Sequence, residues 1–285
     1  MYLDEFRKKP GVRQRLARFN ASATPGFKDK VEAKDKLVAD VKRLTKLQDV
    51  LSASAARGLL IIFQGMDGAG KDSAIKHVMS GVNPQGVHVY SFRQPTDEER
   101  RHDYMWRCVK VVPERGRIGI FNRSYYEEVL VVRVHPELLG PLARRANRAF
   151  WRQRYRDMNN FEQYLVENNI AVLKFHLHMS KQEQAKRLLA RLERPSKHWK
   201  FSPADLAQRA YWPQYMKAYE DMLNATSTPW APWYVIPADH KWFAHVAIAD
   251  IVVRTLESFK LRYPVLAPNM KRALRDARRR LKREA

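Results

Sequence analysis

Apolar positions along the chain follow two periods. From residue 31 to residue 54 they recur every three or four residues, which predicts an amphipathic helix. Short continuous apolar runs predict five strands, at residues 59–63, 86–92, 118–121, 171–177 and 233–236. Helical segments of ten or more residues are expected between these strands. Such alternation is typical of a parallel sheet covered by helices on both faces, so the pattern predicts an α/β fold with three layers.

The chain divides into three parts by composition. Residues 1–30 mix basic residues with glycine and proline and show no sustained period, which predicts an extended basic arm. Residues 31–265 contain all the predicted strands and are expected to form one domain. Residues 266–285 are a basic C-terminal tail, in which eight Lys or Arg stand against two acidic residues. A solvent-exposed helix or a frayed end is the ordinary form of such a tail.

A glycine-rich segment separates the first predicted strand from a predicted helix. Residues 65–71 read G-M-D-G-A-G-K, the G-x-x-x-x-G-K core of a phosphate-binding loop in its required context. Backbone N–H groups of such a loop surround phosphate oxygens, and the lysine, here Lys71, adds a point charge. The residues predicted to bind phosphate are Gly65, Met66, Gly68, Ala69, Gly70 and Asp72.

Two acidic residues depart from the usual loop. Asp72 follows the lysine in place of the Ser or Thr whose hydroxyl binds Mg²⁺, so the metal has to be held differently. Asp67 lies inside the loop, where a carboxylate repels phosphate oxygens unless a divalent cation stands between them. We therefore predict that Asp67 is the principal ligand of Mg²⁺, which Mn²⁺ can replace. Asp72 fits equally well as an acid favoured by the helix dipole.

Polar residues follow the predicted strand at 118–121. Ligands of open α/β sheets bind beyond the carboxyl ends of the strands, so Asn122, Arg123 and Glu127 are expected beside the phosphate loop. Glu127 is the nearby acid and is predicted to assist in metal binding. Arg123 has the planar fork that clamps a phosphate in a transition state. The alternative for Arg123 is a surface ion pair with Glu127 or Glu128.

Three arginines lie on one face of a later predicted helix. Arg187, Arg191 and Arg194 are spaced at i, i+4 and i+7, and the following loop adds Lys197 and Lys200. This stripe and loop can close over a bound polyphosphate as a lid. A solvated charged face is the ordinary alternative.

Charge narrows the class of partner. The 285 residues carry 53 Lys and Arg against 30 Asp and Glu, a formal net charge of +23, which attracts polyanions. Nucleic acid, an anionic membrane surface and inorganic polyphosphate satisfy this charge equally. A single cysteine, Cys108, excludes an internal disulfide, and no segment is long and apolar enough to span a bilayer, so we expect a cytoplasmic protein.

These motifs together resemble those of the polyphosphate kinase 2 family, and most closely its class III branch. The resemblance covers roughly residues 27–260. It rests on ordered segments at residues 64–72, 83–86, 95–96, 121–127, 160–162 and 231–233. It also includes single positions in the lid and after the last strand: Pro195, Lys197, Trp199, Lys200, Ser202, Pro203, Asp205, Trp212, Tyr215, Asp239 and Lys241.

The resemblance implies a three-layer P-loop kinase fold similar to thymidylate kinase, with a parallel sheet and a helical lid at about residues 181–225. It implies Mg²⁺-dependent transfer of phosphate from inorganic polyphosphate to AMP and ADP, giving ADP and ATP. The expected catalytic residues are Asp67, Lys71, Arg123 and Glu127, and the metal is assigned to Asp67 and Glu127. The expected polyphosphate-binding residues are Arg187, Arg191, Arg194, Lys197 and Lys200.

The resemblance also bears on partners. Arg107 occupies a position where the family carries an arginine, which makes it the candidate for binding the acceptor's phosphate. Homotetramers are familiar in the family, so a homo-oligomer, including a tetramer, is expected. Neither a membrane nor a nucleic acid is expected as partner or substrate.

Two other functions stay open at this point. An ATP-dependent nucleotide kinase normally keeps Ser or Thr after the loop lysine, whereas this chain has Asp72. A basic nucleic-acid-binding protein with a vestigial P-loop needs aromatic stacking platforms, and the aromatic residues here do not assemble into one along the sequence.

Overall fold

The structure of the protein is a computed structural model, which describes residues 3–200 and 202–284. Its strands are β1 (Gly58–Gln64), β2 (Val87–Ser91), β3 (Ile118–Asn122), β4 (Ile170–His178) and β5 (Trp233–Pro237). The helices before β4 are α1 (Lys30–Ser54), α2 (Lys71–Val78), α3 (Asp97–Arg101), α4 (Trp106–Val109), α5 (Val131–Val134) and α6 (Arg148–Glu167). The helices after β4 are α7 (Lys181–Leu192), α8 (Pro203–Ala210), α9 (Trp212–Thr226), α10 (Lys241–Ser258) and α11 (Pro268–Glu284). All five predicted strands are confirmed, as is the first amphipathic helix.

The five strands form one parallel sheet in the order β2-β3-β1-β4-β5. Every residue of the central strand β1 is buried, because its continuous apolar run fills both faces of the sheet. The register pairs Phe63 of β1 with Asn122 of β3, so the carboxyl ends of these two strands lie side by side. This edge is where the phosphate loop and the polar residues after β3 were expected to meet.

Two groups of helices cover the sheet. In one group α10 packs against α1 and α2, and in the other α6 packs against α9 and α5 packs against α9. Both α6 and α10 contact β4, a strand near the middle of the sheet. The result is the predicted α/β fold with three layers.

The first two connections between strands contain shorter helices than expected. The expectation of ten or more helical residues is wrong there: α2 has 8 residues, α3 has 5 and α4 has 4. The stretch between β2 and β3 begins and ends near Pro95 and Pro113, and proline disfavours a helix that runs through it. Helix α3 buries none of its residues, so no apolar face is present to extend it.

The described part of the N-terminal arm is packed against the domain. Residues 3–29 contain two 3₁₀ turns, Leu3–Phe6 and Leu16–Arg18, and no α-helix. The backbone N–H of Lys8 donates to the carbonyl of Trp233 at 2.8 Å, and Phe6 is buried in the core. The arm therefore covers the outer edge of β5, which would otherwise expose unpaired backbone groups.

Candidate active site

The phosphate loop connects β1 to α2 and takes its shape from its glycines. Gly68 and Gly70 have φ angles of +86° and +104°, in the left-handed region that glycine adopts without strain. A Cβ atom on Gly65 would lie 2.9 Å from the carbonyl oxygen of Leu177 on β4, so the loop passes close to the sheet. The loop leads directly into the first turn of α2, whose N–H groups have no partners within the helix.

Lys71 is buried within this loop. Its Nζ donates to the carbonyl oxygen of Gly65 at 2.7 Å and to that of Met66 at 3.3 Å. Burial lowers the pKa of Lys71 and the charge of Arg123 lowers it further, whereas the negative charge of Asp67 opposes both effects. The ammonium is thus held in a dry position at the point where a phosphate group would enter the loop.

Asp67 and Arg123 form an ion pair across the loop, between Oδ1 and Nη2. Burial alone would raise the pKa of Asp67, but the positive charges of Arg123, Lys71 and Arg191 outweigh it and hold that pKa below its usual range. Asp67 is therefore ionised at neutral pH. The two side chains join the phosphate loop to the carboxyl end of β3, as expected for residues that follow neighbouring parallel strands.

Glu127 completes this charged group. Its Oε2 lies 3.9 Å from Nη1 of Arg123, and the amide of Gln64, oriented to satisfy both of its ends, donates to Oε1 at 2.8 Å. Burial raises the pKa of Glu127, although the charges of Arg123 and Lys71 oppose the rise. The second partner considered for Arg123, Glu128, pairs with Arg154 instead, at 2.5 Å.

Asn122 and Asp72 link β3 to α2. Nδ2 of Asn122 donates to Oδ1 of Asp72 at 2.7 Å, and Asp72 lies exposed in the first turn of α2. The hydrogen bond places Asp72 at the open edge of the site, where both interpretations of this residue, phosphate binding and helix-dipole stabilisation, stay predictions.

Helix α7 of the lid also contacts the phosphate loop, through hydrogen bonds from its side chains to carbonyl oxygens of the loop. Nε2 of Gln184 donates to the carbonyl oxygen of Asp67 at 2.8 Å. Arg187 is buried, and its guanidinium donates to the carbonyl oxygens of Gly68 at 2.9 Å and Ala69 at 3.0 Å. Its other N–H groups donate to Glu183 and to the carbonyls of Ala238 and Asp239. This geometry favours a part in positioning the loop over direct contact with polyphosphate, which the sequence analysis expected of Arg187.

The remaining basic residues of the lid differ in their surroundings. Arg191 pairs with Asp205 at 3.1 Å and lies close enough to lower the pKa of Asp67. Arg194 was expected on the same helix face, but α7 ends at Leu192 ahead of Pro195, so Arg194 lies beyond the helix and is exposed, whereas Lys197 is half-buried. The side chain of Lys200 lies outside the described residues. Arg191 is thus the stripe residue placed closest to the phosphate loop apart from Arg187.

Arg107, the candidate for the acceptor's phosphate, is buried beyond the carboxyl end of β2. Its Nη1 donates to the carbonyl oxygen of Arg93 at 2.8 Å and lies 3.6 Å from Glu99, and its guanidinium stands 5.5 Å from the centre of the Phe92 ring. It therefore lies at the same edge of the sheet as the loop, but none of these contacts is with a loop residue. Its role stays a prediction.

The carboxylate oxygens of the site, from Asp67 and Glu127, suit a hard cation such as Mg²⁺ that also binds substrate oxygens. Within residues 3–200 and 202–284 no group of three or more His, Cys, Asp or Glu could hold a metal ion by itself. Mg²⁺ does not need one, because it is usually bound by one or two carboxylates together with water and substrate phosphates. Asp67 has this capacity: Arg123 occupies Oδ1, and no hydrogen bond from a described residue reaches Oδ2.

Comparison with known proteins identifies the family. Residues 27–263 match the family described as Polyphosphate kinase 2. The chain belongs to this family. It is 46% identical to the ADP-polyphosphate phosphotransferase of Rhodopseudomonas palustris, over 97% of both proteins. It is 43% identical to the AMP/ADP-polyphosphate phosphotransferase of Meiothermus ruber, over 92% of this chain and 96% of that protein.

A solved structure of the family agrees with the fold. The crystal structure of polyphosphate kinase 2 from Arthrobacter aurescens TC1 superposes with a TM-score of 0.86 at 42% identity, covering 94% of both chains. The predicted P-loop kinase fold is therefore confirmed. Among the described residues no helix is both long and apolar enough to cross a bilayer.

Lys241, for which the sequence predicts no role, lies beside the phosphate loop. A Cβ atom on Gly70 would lie 3.9 Å from its Cγ. Burial lowers the pKa of Lys241, and the charges of Arg187 and Lys197 lower it further. The residue also lines a cavity of about 630 Å³ next to α2, together with Lys30, Lys34, Ser73, His77 and His245. Its position after the carboxyl end of β5 was the signal available in the sequence.

A buried polar network behind the site was missed. Lys174 of β4 and Glu162 of α6 are both fully buried and form an ion pair of 2.6 Å. Oε1 of Glu162 accepts from the hydroxyls of Tyr125 at 2.8 Å and Tyr126 at 2.7 Å. These tyrosines directly precede Glu127 in the chain, so the network anchors the segment that carries this acid. The signal in the sequence was a lysine inside an apolar strand.

Proposed function

We propose that this protein transfers a phosphoryl group from inorganic polyphosphate to AMP and to ADP, giving ADP and ATP. The observation that carries the proposal is the phosphate loop in which Asp67 lies between the glycines and pairs with Arg123, with Glu127 beside them. Membership in the polyphosphate kinase 2 family, and relatives named for ADP and for AMP/ADP, support the same activity. The similarity to the second relative favours a class III enzyme.

The transfer proceeds in line, without a covalent enzyme intermediate. An oxygen of the terminal phosphate of AMP or ADP attacks the terminal phosphorus of polyphosphate, and the bridging P–O bond breaks. The electron pair of that bond leaves with the shortened polyphosphate. Lys71 and Arg123 stabilise the negative charge that spreads over the transferred group, because both are held in place by the loop before substrate binds.

Asp67 is the residue we propose to hold Mg²⁺, with Glu127 assisting directly or through a water molecule. Asp67 is ionised and has one oxygen without a protein donor among the described residues, which fits the role. When bound, Mg²⁺ or Mn²⁺ neutralises charge on the phosphate oxygens. The pairing of Asp67 with Arg123 keeps the carboxylate oriented towards the end of β3.

Polyphosphate itself is proposed to bind along the basic side of the lid. Arg191, Arg194, Lys197 and Lys200 are the direct contacts proposed, and Lys241 joins them because it lies between Gly70 and the cavity beside α2. A chain with one negative charge on each phosphate needs such a row of cations. We also propose that the protein forms a homo-oligomer, including a tetramer, and the mass of the purified protein measured by light scattering tests this. We propose that it acts in the cytoplasm.

The test is an endpoint assay with Mg²⁺ and long-chain polyphosphate, in which AMP and ADP are offered in separate tubes and the nucleotides are resolved by chromatography. ADP and ATP formed from AMP would support the class III proposal. ATP formed only from ADP would restrict the enzyme to diphosphates. No product in either tube, with product when ATP replaces polyphosphate as donor, would favour an ATP-dependent nucleotide kinase.

Glu127 is the residue we propose to separate AMP from ADP use. Its carboxylate lies beside Arg123, where the attacking phosphate has to be accommodated. Glu127→Asn should lower turnover of AMP more than turnover of ADP, because it removes a charge and a metal-directed oxygen but keeps the side chain polar. The ratio of kcat/KM for the two acceptors measures this, and an unchanged ratio would remove the role.

A further inference from the structure

Helix α11 is not accounted for by the active site. Every residue from 262 to 284 is exposed, and the helix buries none of its side chains in this chain. An isolated helix of this length is marginally stable in water, because most helical stability in proteins comes from packing of an apolar face. The helix therefore needs a surface outside the described chain to cover that face.

The two faces of α11 are sharply separated. At 3.6 residues per turn the apolar residues fall within an arc of about 100°. They are Met270, Ala273, Leu274, Ala277 and Leu281. The basic residues fill most of the remaining circumference: Lys271, Arg272, Arg275, Arg278, Arg279, Arg280, Lys282 and Arg283. A helix with low mean hydropathy, a narrow apolar face and a Lys/Arg-rich polar face has the pattern of helices that lie in the interface of a bilayer.

The segment before α11 adds further exposed apolar surface. Val265 is 90% exposed, Tyr263 is 61% exposed and Leu266 is 43% exposed. On the helix itself, Leu274 and Leu281 are 53% and 64% exposed. Tyrosine is favoured at the level of lipid headgroups, where one end of its ring is apolar and the other is wet. The apolar surface of residues 263–266 is thus an independent sign that this end of the described chain contacts an apolar environment.

We propose that α11 and the preceding residues 263–266 bind the surface of an anionic lipid bilayer. The apolar arc would enter the boundary between headgroups and acyl chains, and the basic arc would contact anionic headgroups. The sequence predicts no membrane partner and contains no segment long enough to span a bilayer. A helix that lies on the surface needs no such segment.

The charge of α11 favours an anionic bilayer over two other binding partners, a second copy of the chain and inorganic polyphosphate. Eight basic and two acidic residues give α11 a net charge of +6, so pairing with a second copy would bring two strongly positive helices together. Inorganic polyphosphate would satisfy the basic arc but would leave the apolar arc and residues 263–266 in water. An anionic bilayer satisfies both arcs, and the net charge of +23 draws the whole protein towards it.

The experiment is co-sedimentation of the full chain with vesicles of phosphatidylcholine, with and without phosphatidylglycerol. The wild type should sediment only with vesicles that contain phosphatidylglycerol. Leu274→Asn combined with Leu281→Asn keeps the charge but breaks the apolar arc, and it should weaken binding at least about tenfold. Arg272→Gln, Arg275→Gln and Arg279→Gln together should weaken it about a hundredfold, since each basic residue near an anionic surface contributes about a fivefold gain.

A matched control removes the same charge elsewhere. Arg144→Gln, Arg145→Gln and Arg152→Gln change three exposed arginines outside α11, and binding should stay within about threefold of the wild type. All three variants should phosphorylate AMP in solution at the wild-type rate. This activity also shows that each variant is folded.

Four results would overturn the proposal. Wild-type binding by the leucine variant would mean that charge alone holds the vesicles. An equal loss in the control would mean that α11 is not the site. A smaller oligomer in the leucine variant, with vesicle binding unchanged, would assign the apolar arc to a second copy. Weaker retention of polyphosphate by the α11 arginine variant, with vesicle binding unchanged, would assign the basic arc to the substrate.

Discussion

Replacement of Lys174 tests how much the buried network behind the active site contributes to the stability of the fold. In Lys174→Met the side chain keeps a similar length but loses its charge. All three acceptors of the ammonium then lose their donor: Oε2 of Glu162 at 2.6 Å, the hydroxyl of Tyr126 at 3.0 Å and the carbonyl oxygen of Thr226 at 2.7 Å. Glu162 is left buried without its counter-charge, with two tyrosine hydroxyls as its donors.

The expected loss is large because neither partner of the pair reaches water. Removal of one member of a buried ion pair costs about 3–5 kcal/mol of the free energy of unfolding. Lys217→Met is the matched control, since Lys217 also pairs with an acid, Asp221, at 2.6 Å, but its side chain is 56% exposed. That exposed pair should contribute less than about 0.5 kcal/mol. The same substitution at the same ion-pair distance thus isolates the effect of burial.

Urea unfolding followed by tryptophan fluorescence measures both variants. The double variant Lys174→Met with Glu162→Gln should recover part of the loss, because the second substitution removes the buried charge and its amide oxygen can still accept from both tyrosines. A loss below about 1 kcal/mol in Lys174→Met, or one equal to that in Lys217→Met, would refute the reasoning. So would a double variant less stable than the single one.

Three further predictions concern charge in and near the site. Asp67→Asn should leave a folded protein whose turnover with ADP is lower by roughly two or more orders of magnitude, and near-normal turnover would contradict the metal assignment. Burial raises the pKa of Glu127, so this carboxylate becomes protonated at a higher pH than an ordinary glutamate does. As the pH is lowered, the loss of kcat/KM for ADP should therefore begin at that higher pH, and Glu127→Asn should shift the loss to lower pH. An unchanged profile would assign the ionisation to the substrate. Burial, with the charges of His77 and Lys241, lowers the pKa of His245 to about 4, so the unfolded chain binds more protons between pH 4 and pH 6.5. His245 should therefore contribute about 2 kcal/mol to the drop in the free energy of unfolding between pH 8 and pH 5, and His245→Gln should remove that contribution.

Much of the fold follows from the sequence because it depends on one-dimensional patterns. Buried parallel strands are continuous apolar runs, and the edge at which they end is known once their direction is known. That is enough to bring Arg123 and Glu127 to the phosphate loop without any further information. The short helices between β2 and β3 were not predictable in the same way, because α3 buries no residue and has no apolar period.

The direction in which each side chain of the site points is not determined by the spacing of residues in the sequence. The spacing of Arg187, Arg191 and Arg194 predicts a common helix face, but the three end in different surroundings. Arg187 is buried against carbonyl oxygens of the phosphate loop, and Arg191 pairs with Asp205. Arg194 lies beyond the end of α7 at Leu192 and is exposed. The three-and-four spacing thus continues for two residues past the end of α7, so the period alone gives neither the last residue of the helix nor the surroundings of each arginine.

The backbone of Arg123 shows how the site depends on the sheet. Its φ of +64° lies in the left-handed region, which costs a residue with a side chain roughly 1–2 kcal/mol. The cost is tolerated because the N–H of Arg123 donates to the carbonyl oxygen of Phe63 at 3.0 Å, which extends the pairing of β3 with β1, and because Ser124 after it is fully buried. Glycine would adopt this conformation without strain, but it would remove the guanidinium that pairs with Asp67. The strained arginine therefore supports the proposed role of Arg123 in phosphate transfer, because glycine would meet the demands of loop geometry alone.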